Sequence, residues 1–265
     1  MRLPAIYIPH GGGPWPFVDI DFIPKGALDL LESYLRSLVA SLEVRPKAVL
    51  VVSAHWEEPM ATVMTSPRPP MLYDYTGFAR EAYEIQWPAP GAPALAEEAR
   101  SLLEQAGFHT ASNSTRGFDH GTFVPLKLAL PDADIPVFQV SLIDTLDPAE
   151  HIAMGRALAP LRDEGVLFVG SGNSYHNMRG FGHPASTEPS RLFDSWLANA
   201  VCQPPAQREA LLVDWERAPA ARDCHPREEH LLPLHVMLGA AHSDNATLPF
   251  RMEALYTHAS AVQFG

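Results

Sequence analysis

The chain has 265 residues, 46% hydrophobic and 19% charged, enough to bury a sizeable core in one large α/β domain or two small ones. Its formal net charge is -12 and its Lys and Arg residues do not cluster, which disfavours a nucleic-acid partner. The opening MRLPAIYIPHGGG reads as neither a signal peptide nor a membrane span, and Cys202 and Cys224, which lack CxxC spacing, read as free thiols of a cytoplasmic protein.

Residues 5–9 (AIYIP) form a first expected strand, delivering His10 into His10-Gly11-Gly12-Gly13-Pro14, where glycines let the backbone turn sharply and approach a ligand. An apolar pattern of helical period covers residues 27–42. VLVVSAHW, residues 49–56, is a solid aliphatic run suited to a central strand covered on both faces, and it stops at Ser53-Ala54-His55. A further strand is expected over residues 61–65. Residues 66–90, rich in Pro, Tyr, Trp and Gly, are too irregular for a long helix and read as a covering loop over a site. A helix follows over residues 92–107, with Pro93 in its first turn and Gly107 as its cap.

Gly117-Phe118-Asp119-His120-Gly121 reads as a loop before a helical pattern at residues 123–130. A strand at 135–142, a helix at 148–163 and a strand at 165–170 (GVLFVG) come next, the last leading through Ser171-Gly172-Asn173 to His176. Residues 190–201 read as another helix. Residues 224–230 open a helix with a proline and two acids in its first turn, kinked or confined by Pro233. Two tail strands, 247–256 and 259–264, extend the sheet. No repeat or linker divides the chain, so the expected fold class is α/β: one domain, 1–265, with a central mostly parallel or mixed sheet flanked by helices on both faces.

Of the twelve histidines, His109, His151, His183, His235, His242 and His258 have no glycine-rich or strand-end setting and read as surface or satisfied core residues. His225, before a proline, reads as a helix cap. His10, His55, His120, His176 and His230 differ, each sitting at an element terminus or in a glycine-flanked loop. In an open α/β sheet, ligands bind outside the carboxyl ends of the strands, so five such residues point to one shared site. Neutral imidazole ligates iron and zinc alike, and a catalytic metal takes about three protein ligands, leaving a surplus to serve as acid and base. Common hydrolase patterns fit poorly. His10-Gly11-Gly12-Gly13 is like a lipase oxyanion loop, yet Gly170-Ser171-Gly172-Asn173-Ser174 has the wrong spacing for a nucleophile elbow, and there is no His-Glu-x-x-His.

The ordered set IPHGGGP, VVSAHW, GFDHG, PDADIPVFQVSL, GRALAPLRDEGVLFVGSGNSYHN and PREEHLLPL resembles the class III extradiol ring-cleavage dioxygenases, in the branch of the DOPA extradiol dioxygenases. The resemblance spans nearly the whole chain and implies a mononuclear metal site, normally Fe(II), with Zn(II) able to occupy it in purified protein. It implies His10, His55 and His230 as metal ligands, with His176 as catalytic base and His120 as second active-site histidine. Protocatechuate-type members use a glutamate as third ligand, and here Glu229 precedes His230. On a helix such neighbours point about 100° apart, so both are not expected on one ion. The implied partners are a catechol-type small molecule and O2, with no nucleic acid and no membrane; a homo-oligomer is left open. Tyr73, Asp74, Phe78, Asn177 and Arg179 are candidate pocket residues. A zinc-dependent hydrolase on the same scaffold and a non-enzymatic metal-binding relative are the alternatives.

Overall fold

An uninterrupted aliphatic run cannot leave either face to water, and Val49, Leu50, Val51 and Val52 are fully buried in the computed structural model, which describes residues 2–21 and 23–265. Each such side chain contributes about 1.5–3 kcal/mol by leaving water. Ten strands form among the described residues: β1 Ala5–Pro9, β2 Ala48–Ser53, β3 Glu57–Glu58, β4 Ala61–Met64, β5 Thr110–Asn113, β6 Val137–Gln139, β7 Leu142–Ile143, β8 Val166–Gly172, β9 Ala246–Ala254 and β10 Thr257–Phe264. Six build the main sheet in the order β6-β2-β8-β1-β10-β9. Neighbours are parallel from β6 to β1 and antiparallel from β1 to β9, so the sheet is mixed. β3 with β7 and β4 with β5 make two small parallel pairs.

The helices are α1 Asp29–Ser37, α2 Pro93–Gln105, α3 His120–Ala129, α4 Pro148–Leu158, α5 Pro160–Asp163, α6 Thr187–Val201, α7 Pro205–Val213, α8 Ala221–Cys224 and α9 Leu232–Ala241. They cover both faces of the sheet, as β8 makes plain. A Cβ on Gly170 would lie 2.7 Å from the Pro233 carbonyl of α9, whereas the next residue, Ser171, turns its hydroxyl to the Gly121 carbonyl of α3. Successive residues of a strand face opposite sides, so α9 and α3 flank the sheet from opposite directions. α9 is apolar all round and wholly buried, as expected of a helix packed on every side.

Several expected elements take a different form. The strand expected at 61–65 pairs with β5, which lacks a hydrophobic run and escapes sequence reading, rather than joining the main sheet. The strand expected at 135–142 splits into β6 and β7, and the helix at 148–163 breaks at Pro160, whose missing N–H cannot continue the ladder. The helix expected to open at 224–230 is absent. α8 ends at Cys224, residues 225–231 are non-helical, and α9 starts at Leu232 with Pro233 in its first turn, where the missing N–H costs nothing. α7 was not expected from the sequence. Cys202 is exposed and Cys224 buried, both free, and no helix among the described residues is long and apolar enough to cross a membrane.

Candidate metal centre and active site

Register sets the site. Ser171 of β8 lies opposite both Ser53 of β2 and Ile8 of β1, and Gly172 lies opposite Pro9, so three parallel strands end at one level. Each then releases a histidine-bearing segment: His10 directly after β1, His55 two residues after β2, and Asn173 to His176 after β8. His230 comes from the far loop and is pinned to the same strand ends. Its carbonyl accepts from the Tyr7 hydroxyl at 2.7 Å and from the Asn173 N–H at 3.1 Å. Only glycine fits at 172, where a Cβ would stand 2.1 Å from that carbonyl. His120 is the first residue of α3, capped by Asp119, whose carboxylate accepts from the Thr122 N–H at 3.1 Å.

The structure brings all five singled-out histidines to one cavity of about 520 Å³. Three of them, His10, His55 and His230, present nitrogens within 4.8 Å of one another and could hold a metal ion. Nε2 of His55 stands 3.2 Å from Nε2 of His10. The opposite nitrogen of each ring has an outer partner. The Ser171 hydroxyl donates to the Gly121 carbonyl, so toward His10 it accepts, from Nδ1–H at 3.0 Å. His230 Nδ1–H donates to Glu229 Oε1 at 2.9 Å, and His55 Nδ1 faces Asp74 Oδ2 at 3.6 Å. The two hydrogen bonds put the protons of His10 and His230 on Nδ1, the Asp74 carboxylate favours the same tautomer of His55, and the Nε2 lone pairs then face inward. His230 Nε2 is buried and has no hydrogen-bond partner among the described residues. Buried polar atoms are rarely left so, and a lone pair awaiting a cation accounts for it.

Electrostatics favour the ligand form. Burial, then the surrounding histidines, holds His10 well below the ordinary imidazole range. Burial and His120 lower His55 to about 4, and burial lowers His230 against the opposing pull of Glu229. All three are therefore neutral near pH 7, as metal binding requires.

Two carboxylates organise the remaining rings. Asp74 Oδ1 accepts from His120 Nδ1 at 2.9 Å and from the His120 backbone N–H at 2.8 Å, while its other oxygen faces His55. Glu229 Oε1 is shared between His230 Nδ1 and His176 Nδ1, the latter at 3.2 Å, and the two rings are stacked. Burial works to raise both carboxyls, but the histidine hydrogen bonds outweigh it and hold both below the usual carboxylate range. The sets His55–Asp74–His120 and His176–Glu229–His230 are also close enough to surround an ion. In each, however, the carboxylate already receives imidazole N–H groups, so these are buttresses rather than second metal sites. Glu229 thus supports His230 by a hydrogen bond, and the helical-angle reason for setting it aside does not apply, because the segment is not a helix.

Among the pocket candidates, Phe78 lines the cavity and Asp74 holds His120 behind it. Tyr73, Asn177 and Arg179 are outside the lining: Tyr73 donates to the Ile85 carbonyl at 2.7 Å, and Asn177 to the Asp223 carbonyl at 2.8 Å. Tyr75 and Phe78 cover the histidines from the aromatic loop, so that segment does overlie the site. Sequence reading missed Ser171 and Tyr7, whose roles depend on contacts more than 160 residues away in the chain. His225 caps a helix end rather than a helix start: it is the C-cap of α8, its backbone N–H on the Ala221 carbonyl at 2.8 Å, and its buried ring has Nε2 3.0 Å from the Ser174 carbonyl.

The family model described as the catalytic LigB subunit of aromatic ring-opening dioxygenase matches residues 4–263. A Beta vulgaris protein named 4,5-DOPA dioxygenase extradiol is 39% identical over 241 residues, covering 89% of this chain and 86% of that one. A protein of the same name from Escherichia coli K12 is 36% identical over 247 residues, covering 90% and 85%. The crystal structure of an uncharacterized protein from Escherichia coli K12 superposes with a TM-score of 0.80 at 31% identity over the full length of both chains. LigB-type extradiol dioxygenases are metal-dependent oxidoreductases, and His10, His55 and His230 form a possible metal site here. With the match running through every element that builds this cluster, the chain belongs to the LigB family of extradiol aromatic ring-opening dioxygenases.

Proposed function

We propose that this protein is a non-haem Fe(II)-dependent extradiol dioxygenase that opens the ring of a catechol-type aromatic, DOPA-like or related, with O2. Both oxygen atoms enter a hydroxymuconic semialdehyde-type product. The observation that carries the reading is the clustering of His10, His55 and His230, with Nδ1 of His10 and of His230 hydrogen-bonded from outside, Nδ1 of His55 facing Asp74, and the Nε2 lone pairs turned inward. Held there, Fe(II) would supply a redox-active centre at which catechol and O2 meet; the all-histidine set also suits Zn(II).

The chain's own groups would do the rest. His176 keeps Nδ1–H on Glu229, leaving Nε2 to accept a catechol hydroxyl proton, and the Glu229 carboxylate stabilises the resulting imidazolium. His120, with Nδ1–H on Asp74, would give a proton from Nε2 only as an imidazolium carrying a second proton, a charge that the Asp74 carboxylate stabilises. Tyr75 and Phe78 exclude water from above, strengthening both interactions. The supporting experiment is anaerobic reconstitution with Fe(II), addition of a catechol panel, admission of oxygen, and simultaneous measurement of oxygen uptake and visible absorbance. The reading expects stoichiometric uptake with a yellow ring-opened product. Iron-loaded protein that consumes no oxygen but turns over esters or amides with zinc would overturn it in favour of a hydrolase.

A further inference from the structure

The cavity is larger than the chemistry at its floor needs. At about 520 Å³ it falls within the range of about 300–1,000 Å³ typical of pockets for drug-sized ligands, whereas a bare catechol is a single six-membered ring. Away from the histidines its wall is apolar. Ile23 and Leu28 come from the segment leading into α1, Leu31 from α1 itself, Phe78 from the covering loop, and Met252 and Leu255 from the β9–β10 hairpin. Among the described residues, no Lys, Arg, Asp or Glu lines the cavity. Its other polar side chains are uncharged: Tyr75 donates to the Ala82 carbonyl at 2.5 Å and Thr257 to the Ala254 carbonyl at 2.9 Å, which leaves Tyr175, the Thr76 hydroxyl and the Asn173 amide. Arg179, a cation on the loop beyond His176, is exposed and not in the lining.

Resting on the ring-cleavage reading above, we infer that the substrate is a catechol bearing an uncharged, apolar substituent of several carbons, directed away from the histidines toward Leu31, Phe78 and Met252. A carboxylate or ammonium on that substituent would lose its hydration without gaining a counter-charge. An alkyl or aryl group gains about fourfold in affinity per methylene buried. The zwitterionic side chain of an amino-acid catechol is a poor match to this wall.

The test uses the Fe(II)-loaded protein with two catechols of similar length, 4-butylcatechol and 3-(3,4-dihydroxyphenyl)propionate, together with L-DOPA. It measures kcat/KM by oxygen uptake and equilibrium binding by anaerobic calorimetry. The inference expects 4-butylcatechol to lead both charged compounds by at least about tenfold in both measurements. Equal values, or a lead for either charged compound, would overturn it while leaving ring cleavage standing. No uptake with any catechol on iron-loaded protein would overturn the ring-cleavage reading and the inference with it. Met252→Lys should shift the ratio at least about tenfold toward the propionate, with Leu255→Lys as the second variant should the first fail to fold. An unchanged ratio in a folded variant would overturn the assigned direction of the substituent.

Discussion

Asp74 and Glu229 do comparable work on different rings of the histidine cluster, and their attachments differ. Each carboxylate serves one inward-facing histidine of the triad and one further ring: Asp74 serves His55 and His120, Glu229 serves His230 and His176. Glu229 sits next to His230 in the chain and is itself held, because Arg227 reaches Glu229 Oε2 at 3.4 Å while bonding Glu57 at 2.6 Å. Asp74 lies on the aromatic covering loop, 46 residues from His120, and touches His55 at only 3.6 Å. The Glu229 side is a bracket built within one short segment, whereas the Asp74 side joins the covering loop to the start of α3. On the reading proposed above, this difference would put metal retention mainly on Glu229 and the alignment of His120 mainly on Asp74.

Removing a ring of the triad should give the largest effect. His55→Ala is expected to lose the metal and at least about a thousandfold in ring-cleavage rate, measured by metal analysis and oxygen uptake. Glu229→Gln comes next. It removes the charge that orients two rings, and metal affinity should fall about 10–100-fold, read by competition with a chelator. Asp74→Asn should lower kcat about tenfold with metal affinity changed less than in Glu229→Gln. Equal metal loss in the two variants would break the division of labour. Arg227→Ala, which loosens the bracket without touching a ring, should cost only a fewfold in kcat.

A final prediction contrasts the site with two buried histidines elsewhere. His235 has its ring nitrogens 3.2 and 2.8 Å from the Leu231 and Leu212 carbonyls, and its pKa is lowered to about 4 mainly by burial; burial lowers His225 to about 3. Both are neutral when folded and gain a proton near pH 6.5 when unfolded, so the unfolded chain binds more protons as pH falls. The stability they contribute is complete above about pH 6.5 and is lost progressively toward pH 4, on the order of 2–3 kcal/mol for each. His235→Gln should flatten the fall of the urea midpoint between pH 6.5 and 4, while metal content stays unchanged.

Much of this was legible in the sequence because local pattern and local function coincide. The aliphatic run of β2 could only be a central strand, and histidines just past such runs fall at the carboxyl edge of a parallel sheet. The five histidines singled out are the five that meet, and the irregular aromatic loop does cover them. The illegible parts depend on distant contacts. β5 has no apolar run, and its strand state comes from pairing with β4. The support given to His10 by Ser171, and to His120 by Asp74, crosses 161 and 46 residues, and no periodicity reports such partners. The segment at 225–231 misleads for a local reason. Its proline and acids mimic a helix start, but the helix begins about two turns later, at the proline that truly occupies a first turn.

The most direct measurement of the central claim is the metal stoichiometry of Fe(II)-reconstituted, desalted protein for His230→Ala beside His176→Ala. Their rings are stacked and share Glu229, yet it is His230, not His176, that groups with His10 and His55 with ligand atoms within 4.8 Å of one another, and His230 Nε2 is buried with no hydrogen-bond partner among the described residues. The account predicts about one iron per chain in His176→Ala, with slow turnover, and less than about a tenth of that in His230→Ala. Iron retained in His230→Ala and lost from His176→Ala would contradict it and exchange the roles of the two rings.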